Sequence, residues 1–314
     1  MIKESAIRAV FEGSMELGAD ESCLVVTDTI KQHIGRAFYE YASGITTRAK
    51  IVVIEPAVEH ATEPPADIAE LMLGYDAELL ITDKSLTHTK ARRDATAAGA
   101  RIATMPGITE DIANRCLEID YRELRKESAR LYELLKGSSE IRLSTALGTR
   151  MFFTVGGSAF FGQNGGSYDR PGAYGNLPEG EVSFAPERCD GVYVVDASFP
   201  GLGLLEAPLR FTVRDGIVRE ISGPRSEEVI NRLDRVGPAA YKVAELGIGL
   251  NPKARVIGNI LEDEKVRGTV HIAVGNDLSY GGTNDVPLHL DGVIRKARVE
   301  VDGRLIVDGV DLNV

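Results

Sequence analysis

The chain has 314 residues, which at roughly 150 residues per domain corresponds to two domains. Its 36 Lys and Arg residues are outnumbered by 47 Asp and Glu residues, and the net charge of −11 excludes a surface built to neutralise nucleic-acid phosphates. The 3 cysteines are too few for a disulfide framework and no run of about 18 apolar residues occurs, so we expect a cytoplasmic protein without an export signal or membrane span.

Short apolar runs alternate with amphipathic stretches in the first half of the chain. The alternation is typical of a parallel sheet covered by helices. Helices are predicted over 3–17 and 119–137. Strands are predicted between these helices over 22–28, 49–56, 78–83 and 101–106. No GxGxxG follows the first of these strands and no GxxxxGK occurs, so we exclude a dinucleotide or P-loop site.

The second half is richer in strand-like alternation and in turns. Asp215-Gly216 and Asp302-Gly303 predict tight hairpins, because both steps supply the positive φ that such turns need. One helix, over about 225–245, interrupts this region. We therefore predict an α/β domain with a parallel sheet and an α+β, β-rich metal-binding domain, over 1–140 and 141–314.

The triplet His289-Leu290-Asp291 is the first candidate for chemistry. Residues i and i+2 of a strand point to the same face, so this imidazole and carboxylate would share one side of a sheet. They would form half of a metal site. Taken alone, the pair also fits a hydrogen-bonded surface pair, and that alternative stays open here.

Further potential ligands precede this triplet. Glu181 follows the turn-rich segment NLPEGE, Glu245 lies in AELGIG at the expected end of a helix, and His271 begins the apolar run HIAVG. Two imidazoles and three carboxylates suit zinc, cobalt or manganese, and they allow two ions bridged by a carboxylate and a water. Glu181 and Glu245, taken one at a time, also fit solvated carboxylates.

Several segments together resemble the thermophilic aminopeptidases T and S, a leucyl aminopeptidase-like family of metallopeptidases. The resemblance spans most of the chain and keeps its order. It rests on SLTHTKARRDATAAGARIATMPGIT (85–109), the Asp-Tyr step at 120–121, NLPEGEVSFAP (176–186), AELGIGLNP (244–252), LEDEKVRGTVHIAVG (261–275) and LHLD (288–291).

The resemblance implies a metal-dependent hydrolase that removes N-terminal residues from small peptides by means of a metal-activated water. It also implies a homodimer. The residues matching the family's two-metal site are Glu181, Glu245, His271, His289 and Asp291. In this interpretation Glu181 is the bridging ligand or proton shuttle.

The chain departs from the aminopeptidases between its two candidate histidine ligands. The family's tyrosine position holds Leu278, and Tyr280 lies nearby, so we take Tyr280 as a candidate catalytic residue. The connecting loop, 272–288, is short for an aminopeptidase. We therefore expect a different wall on the substrate side.

His88, in SLTHTKAR, is a further catalytic candidate. It follows the third predicted strand, where loops at the carboxyl ends of a parallel sheet often face a ligand crevice. It could therefore reach a cleft between the domains as an acid, a base or a substrate contact. A histidine that binds local backbone at the start of a helix is the equal alternative.

Two alternatives to the hydrolase stay open. Some relatives resemble ring-cleaving dioxygenases of dihydroxypyridines, which would use one Fe(II) held by His271, His289 and Asp291. Such a site requires neither Glu181 nor Glu245, so the hydrolase interpretation is preferred. A non-enzymatic member with a remnant metal site is the other alternative.

Overall fold

The protein is described here from a computed structural model, which covers residues 1–157 and 159–314. The chain divides into two compact units. The first comprises Met1–Arg125 with Asn164–Glu179, and the second comprises Lys126–Gln163 with Gly180–Val314. The boundary predicted near residue 140 therefore differs from the observed one, and the stretch 164–179 returns to the first unit because it adds a strand to that unit's sheet.

Strands and helices are numbered in chain order. The strands are β1 (Cys23–Asp28), β2 (Ala49–Ile54), β3 (Ala77–Ile81), β4 (Arg101–Thr104), β5 (Glu140–Ser144), β6 (Arg150–Thr154), β7 (Phe160–Phe161), β8 (Tyr174–Asn176), β9 (Glu181–Phe184), β10 (Arg188–Val195), β11 (Ser198–Phe199), β12 (Gly203–Leu204), β13 (Leu209–Arg214), β14 (Ile217–Ser222), β15 (Val243–Gly249), β16 (Val270–Gly275), β17 (His289–Ile294), β18 (Arg298–Val301), β19 (Arg304–Asp308) and β20 (Asp311–Leu312). The α-helices are α1 (Glu4–Arg8), α2 (Gln32–Ile45), α3 (Ala66–Met72), α4 (Lys90–Ala97), α5 (Glu110–Cys116), α6 (Tyr121–Lys136), α7 (Ser226–Val236) and α8 (Ile260–Asp263). None of the helices in the described part of the chain is both long enough and apolar enough to cross a membrane.

The first unit contains a five-stranded sheet in the order β2-β1-β3-β4-β8, and all of its strand pairs are parallel. The four apolar runs predicted as strands form β1 to β4, so the predicted α/β architecture is confirmed. Leu24, Leu80 and Ile102 on neighbouring strands are buried in one core cluster with residues of α3 and α4. Burial of this apolar face is what holds helices and sheet together.

The first predicted helix is shorter than expected. α1 passes at Ala9 into a π-helix over Ala9–Ser14, and the amide of Met15 donates to the carbonyl of Val10. The backbone hydrogen bonds of this π-helix join residues five positions apart, instead of the four positions of an α-helix. Regular α-helix therefore does not continue to residue 17.

The second unit contains two antiparallel sheets. Their strand orders are β14-β13-β10-β6-β5-β18-β19-β20 and β12-β11-β17-β16-β15-β9-β7. The predicted hairpins join β13 to β14 and β18 to β19, with positive φ at Asp215, Gly216, Asp302 and Gly303. The predicted β-rich second half is thereby confirmed.

The helix predicted over 225–245 is wrong in its second half. α7 ends at Val236, because Gly237 adopts a φ of 107° and Pro238 follows it. A 3-10 turn over Pro238–Tyr241 leads directly into β15. Glu245 therefore lies within a buried strand and not at the end of a helix.

Candidate metal centre

Four neighbouring strands of the seven-stranded sheet carry the five predicted metal ligands. Glu181 begins β9, Glu245 lies on β15, His271 lies on β16, and β17 carries His289 and Asp291. These strands are adjacent in the order β17-β16-β15-β9, so residues separated by up to 110 positions in the sequence become neighbours. All five belong to the second unit.

Small residues stand opposite the ligands on the same face of this sheet. Gly247 pairs with His271, Ala273 with Asp291, and Gly275 with His289. A Cβ atom at Gly247 would lie 2.0 Å from Nε2 of His271, so only glycine leaves room for the imidazole at this position. The small size of these residues leaves space for an ion between the ligands.

The carboxylate of Glu245 is the centre of the cluster. Its Oε1 lies 3.2 Å from Nε2 of His271, and its Oε2 lies 2.8 Å from Nε2 of His289. Oδ1 of Asp291 approaches the same His289 nitrogen at 3.2 Å. Glu245 and His271 are 2% and 1% exposed, whereas the His289 side chain keeps 30% of its surface, so the cluster opens to solvent on the His289 side.

Backbone contacts fix the orientation of His289. Its Nδ1 donates to the carbonyl of Asn276 at 2.8 Å, so Nε2 faces the carboxylates and is the nitrogen that a metal ion would bind. A hydrogen bond of this kind from the distal nitrogen is the usual support of a metal-binding histidine. Nδ1 of His271 has no hydrogen-bond partner within residues 1–157 and 159–314, and that ring is held instead by packing over Gly247.

The electrostatics of the cluster favour a cation. Burial alone would lower the pKa of His271, but its hydrogen bond to Glu245 and the charges of Glu181, Glu245 and Glu264 raise that pKa to about 9. Burial would raise the pKa of Glu245, yet the two imidazoles hold it well below its ordinary value. The carboxylates thus stabilise positive charge at the imidazoles, and a divalent ion would be stabilised in the same way.

A second group of ligand atoms shares His271. Oε2 of Glu181 lies 3.5 Å from Nε2 of His271, and Glu264 completes a set of atoms within 4.8 Å of one another. The ammonium of Lys265 lies 2.6 Å from Oε1 of Glu181 and 2.6 Å from Oε1 of Glu264. Burial raises the pKa of Glu264 to about 8, with Lys265 opposing the shift.

Sequence reasoning missed the role of this charged segment. Asp263 and Glu264 are 0% and 9% exposed, and Lys265 is 1% exposed. The run Leu-Glu-Asp-Glu-Lys has no apolar periodicity that would predict burial. Its only signal was the spacing of Glu264, seven residues before His271.

Tyr280 lies against the cluster, as expected for a catalytic candidate. It ends a 3-10 turn over Leu278–Tyr280, its ring stacks over that of His289 at a centroid distance of 6.3 Å, and its hydroxyl lies 3.4 Å from Oγ of Ser183. Burial, together with the charges of Glu245 and Glu181, raises the pKa of Tyr280 well above its ordinary value, so the phenol stays protonated. Leu278 is 46% exposed.

His88 lies in the first unit, in an exposed turn before α4. Its carbonyl accepts a hydrogen bond from Arg93 at 2.6 Å, and the cap of α4 is provided by Thr89, whose hydroxyl accepts from the amide of Arg92. The role of His88 in catalysis stays a prediction.

The donor set fits a metal ion. Atoms of Glu245, His271 and Asp291 lie within 4.8 Å of one another, and His289 adds a second imidazole. Nitrogen and carboxylate oxygen together suit zinc, manganese, cobalt and Fe(II), and two histidines with one carboxylate leave coordination positions open for other ligands.

Fold and site together define a two-unit protein with a nitrogen- and oxygen-lined candidate metal centre on an antiparallel sheet. The family model for NicX, 2,5-dihydroxypyridine 5,6-dioxygenase, matches residues 55–313. Because this match covers most of the chain, the protein belongs to the NicX family. None of the curated proteins matches the sequence.

Two solved structures share the fold. The structure of 2,5-dihydroxypyridine dioxygenase from Pseudomonas putida KT2440 superposes with a TM-score of 0.83 at 16% sequence identity, covering 99% of this chain and 96% of that one. Wild-type AmpT from Thermus thermophilus superposes with a TM-score of 0.71 at 18% identity, covering 99% of this chain and 98% of that one. The predicted resemblance to the aminopeptidase T fold is confirmed, and the family match is to the dioxygenase.

Proposed function

We propose that this protein is a ring-cleaving dioxygenase that uses one Fe(II) ion to open a hydroxylated pyridine-type aromatic, with 2,5-dihydroxypyridine as the first substrate to test. The observation that carries the proposal is the convergence of His271, His289 and Asp291 around Glu245. Two imidazoles and one carboxylate on a metal, with open positions beside them, are the set used by non-haem Fe(II) oxygenases. Membership of the NicX family supports the same choice.

Fe(II), when bound, would supply the one-electron chemistry that lets O2 react with an aromatic ring. His271, His289 and Asp291 would hold the ion, with Glu245 as a further ligand or as a base beside it. The two imidazoles keep the carboxylate of Glu245 ionised, so it could ligate the ion or accept a hydrogen bond from a substrate hydroxyl.

Tyr280 would shape the substrate side of the centre. Its ring stacks over His289 and meets Phe161 edge to face at a centroid distance of 4.9 Å. An aromatic substrate would pack against such a surface. The protonated phenol could donate a hydrogen bond to a substrate oxygen.

The reaction balances without an external reductant. The C5–C6 bond of the ring breaks, one C–O bond forms at each of these carbons, and both atoms of O2 remain in the product. The product is therefore heavier than the substrate by one molecule of O2.

The aminopeptidase hypothesis is kept as the second candidate, because a second group of possible ligand atoms, with Glu181 and Glu264, adjoins the first at His271. In that case Glu181 would bridge the ions or carry the proton of the attacking water. The substrate would be a small peptide. A non-enzymatic protein that binds a metal is the third outcome.

Protein purified without oxygen and loaded with Fe(II) tests the proposal. We expect O2 uptake with 2,5-dihydroxypyridine and a product carrying both oxygen atoms when labelled O2 is used, but no release of leucine from leucyl dipeptides. His289→Gln should abolish the uptake, whereas His33→Gln, a change at an exposed histidine of the first unit, should leave it intact. Peptide hydrolysis with two Zn, Co or Mn ions per chain would contradict the dioxygenase proposal and support the aminopeptidase hypothesis.

A further inference from the structure

A buried lysine stands where a second metal ion would bind. Glu181, Glu264 and His271 offer three ligand atoms within 4.8 Å of one another, which is the geometry of a metal site adjoining the first cluster. Nζ of Lys265 lies 2.6 Å from Oε1 of Glu181 and from Oε1 of Glu264. The side chain of Lys265 is 1% exposed.

We propose that the ammonium of Lys265 is the resident cation of this second group, and that it restricts the centre to a single metal ion. The inference deepens the proposed function and rests on it in one respect, namely that the remaining ion is the one held by the first cluster. It assigns to Lys265 the role of a positioning residue.

The first argument is steric. A metal ion bound to carboxylate oxygens lies about 2.0–2.2 Å from each of them. An ammonium 2.6 Å from Oε1 of Glu181 and 2.6 Å from Oε1 of Glu264 lies in the space between these two carboxylates, where an ion bridging them would also lie. Lysine and a second ion therefore exclude each other.

The second argument is electrostatic. A buried ammonium is stable only with charged or hydrogen-bonding partners, and Glu181 and Glu264 provide them. A divalent cation beside it would be repelled by a unit positive charge and would compete with the ammonium for these two carboxylates. The partners that stabilise the lysine are the ones that a second ion would need.

Hydrogen bonds hold the backbone of Lys265 in place. Its amide donates to the carbonyl of Glu262 at 2.9 Å, and its carbonyl accepts from the amide of Asn251 at 2.8 Å. The next residue, Val266, forms a bridge with Asn251. The Cα of Lys265 is thus held on both sides, with the side chain directed into the sheet.

Removal of the ammonium is the direct test. Lys265→Met keeps the length of the side chain and removes its charge, so Glu181 and Glu264 become available to a metal. Saturation with Mn(II), followed by desalting and elemental analysis, should give one ion per chain for the wild type and two for Lys265→Met. Two adjacent ions should also show the spin-coupled electron paramagnetic resonance signal of a manganese pair.

Two variants serve as matched controls. Lys265→Arg keeps a cation at the same place and should bind one ion. Lys242→Met removes another lysine from an ion pair, at 2.5 Å from the buried Asp277, and should also bind one ion because the described residues form no group of metal ligands that includes Asp277. Circular dichroism and the melting temperature establish that each variant is folded.

Two results would overturn the inference. The first is a wild type that takes up two Mn(II) ions per chain, a measurement that requires no variant to fold. The second is a folded Lys265→Met protein that still binds one ion. A wild type that binds one ion but cleaves no aromatic ring would overturn the proposed function and leave the assignment of Lys265 standing.

Discussion

Two buried glutamates, one in each unit, have pKa values that are shifted in opposite directions. Glu78 lies on β3 in the middle of the parallel sheet and is 0% exposed; neither of its carboxylate oxygens has a hydrogen-bond partner within the described residues. Burial therefore raises its pKa well above the ordinary value. Glu245, on β15, is equally buried, but its two imidazole partners hold its pKa well below that value.

The comparison shows that burial alone does not define a functional carboxylate. An unpartnered carboxyl group in a core takes up a proton and becomes a local cost to stability. A carboxylate with imidazole partners stays ionised and prepares the site for a cation. The predictions below separate these two situations, beginning with the largest expected effect.

Replacement of Glu245 should have the largest effect on metal affinity. Glu245→Met removes the charge that both imidazoles face, and we expect metal affinity to fall by about 100-fold or more, since even changes outside the ligand shell cost about 10- to 100-fold. Competition with a fluorescent chelator measures the affinity. An unchanged affinity would show that Glu245 does not belong to the metal centre.

Replacement of Gly247, which packs against His271, should have the next largest effect on metal affinity. In Gly247→Ala the new Cβ would lie 2.0 Å from Nε2 of His271, so the ring must move and metal affinity should fall by about 10-fold. Gly157→Ala is the matched control, because a Cβ there has no atom within 4 Å. Equal affinities for the two variants would contradict the packing of the imidazole over Gly247.

Glu78→Met should stabilise the protein. The unfolded chain loses the Glu78 proton near a pKa of 4.5, whereas the folded chain retains it at higher pH. Wild-type stability is therefore lost as pH rises above 4.5, by at most about 1.4 kcal/mol per pH unit. We expect the variant to be more stable by about 1–3 kcal/mol at pH 7, with a difference that shrinks towards pH 4.5.

Urea unfolding of wild type and Glu78→Met across that pH range checks the sign and the slope. A stabilisation of about 1 kcal/mol would raise the melting temperature by about 2–4 °C. A difference that is constant with pH would mean that Glu78 is ionised in the folded protein. Metal affinity should not change, because Glu78 lies in the other unit.

Tyr280→Phe should have the smallest effect on the metal. Only the hydroxyl near Ser183 is removed, and the ring stacked over His289 is kept, so we expect metal affinity within about 3-fold of the wild type. Turnover should fall by about 10-fold or more if the phenol donates to the substrate. Loss of both affinity and turnover would instead place Tyr280 among the groups that support the metal.

Much of the fold was predictable, because the local sequence patterns of these segments agree with the secondary structure that the folded protein adopts. The four apolar runs that became β1 to β4 and the two Asp-Gly hairpins have short-range signals that tertiary structure did not override. The extended helix at 225–245 failed because Gly237-Pro238 breaks the helix before a buried strand begins. The π-helix after α1 has no recognisable sequence signal.

The candidate site was predictable only in part. The spacing of His289 and Asp291 indicates a shared face, and the sequence contexts of Glu181, Glu245 and His271, together with the family resemblance, indicate the remaining ligands. All of them are brought together on one sheet. The pairing of Lys265 with Glu181 was not predictable, because it joins residues 84 positions apart and depends on a charged segment being buried. The role of Gly247 depends likewise on which residue stands opposite it across two strands.

The alternation of β17 has a consequence for protein production. His289 and Asp291 face the ligand side, while Gly292 faces away, where a Cβ would lie 2.6 Å from the side chain of Val195. A slip of β17 by one residue against β16 would turn both ligands to the wrong face, so a misfolded fraction would have an almost complete sheet and no metal site. Excess metal added after folding would not rescue that fraction, whereas metal present during refolding would select the correct register, because it binds only there.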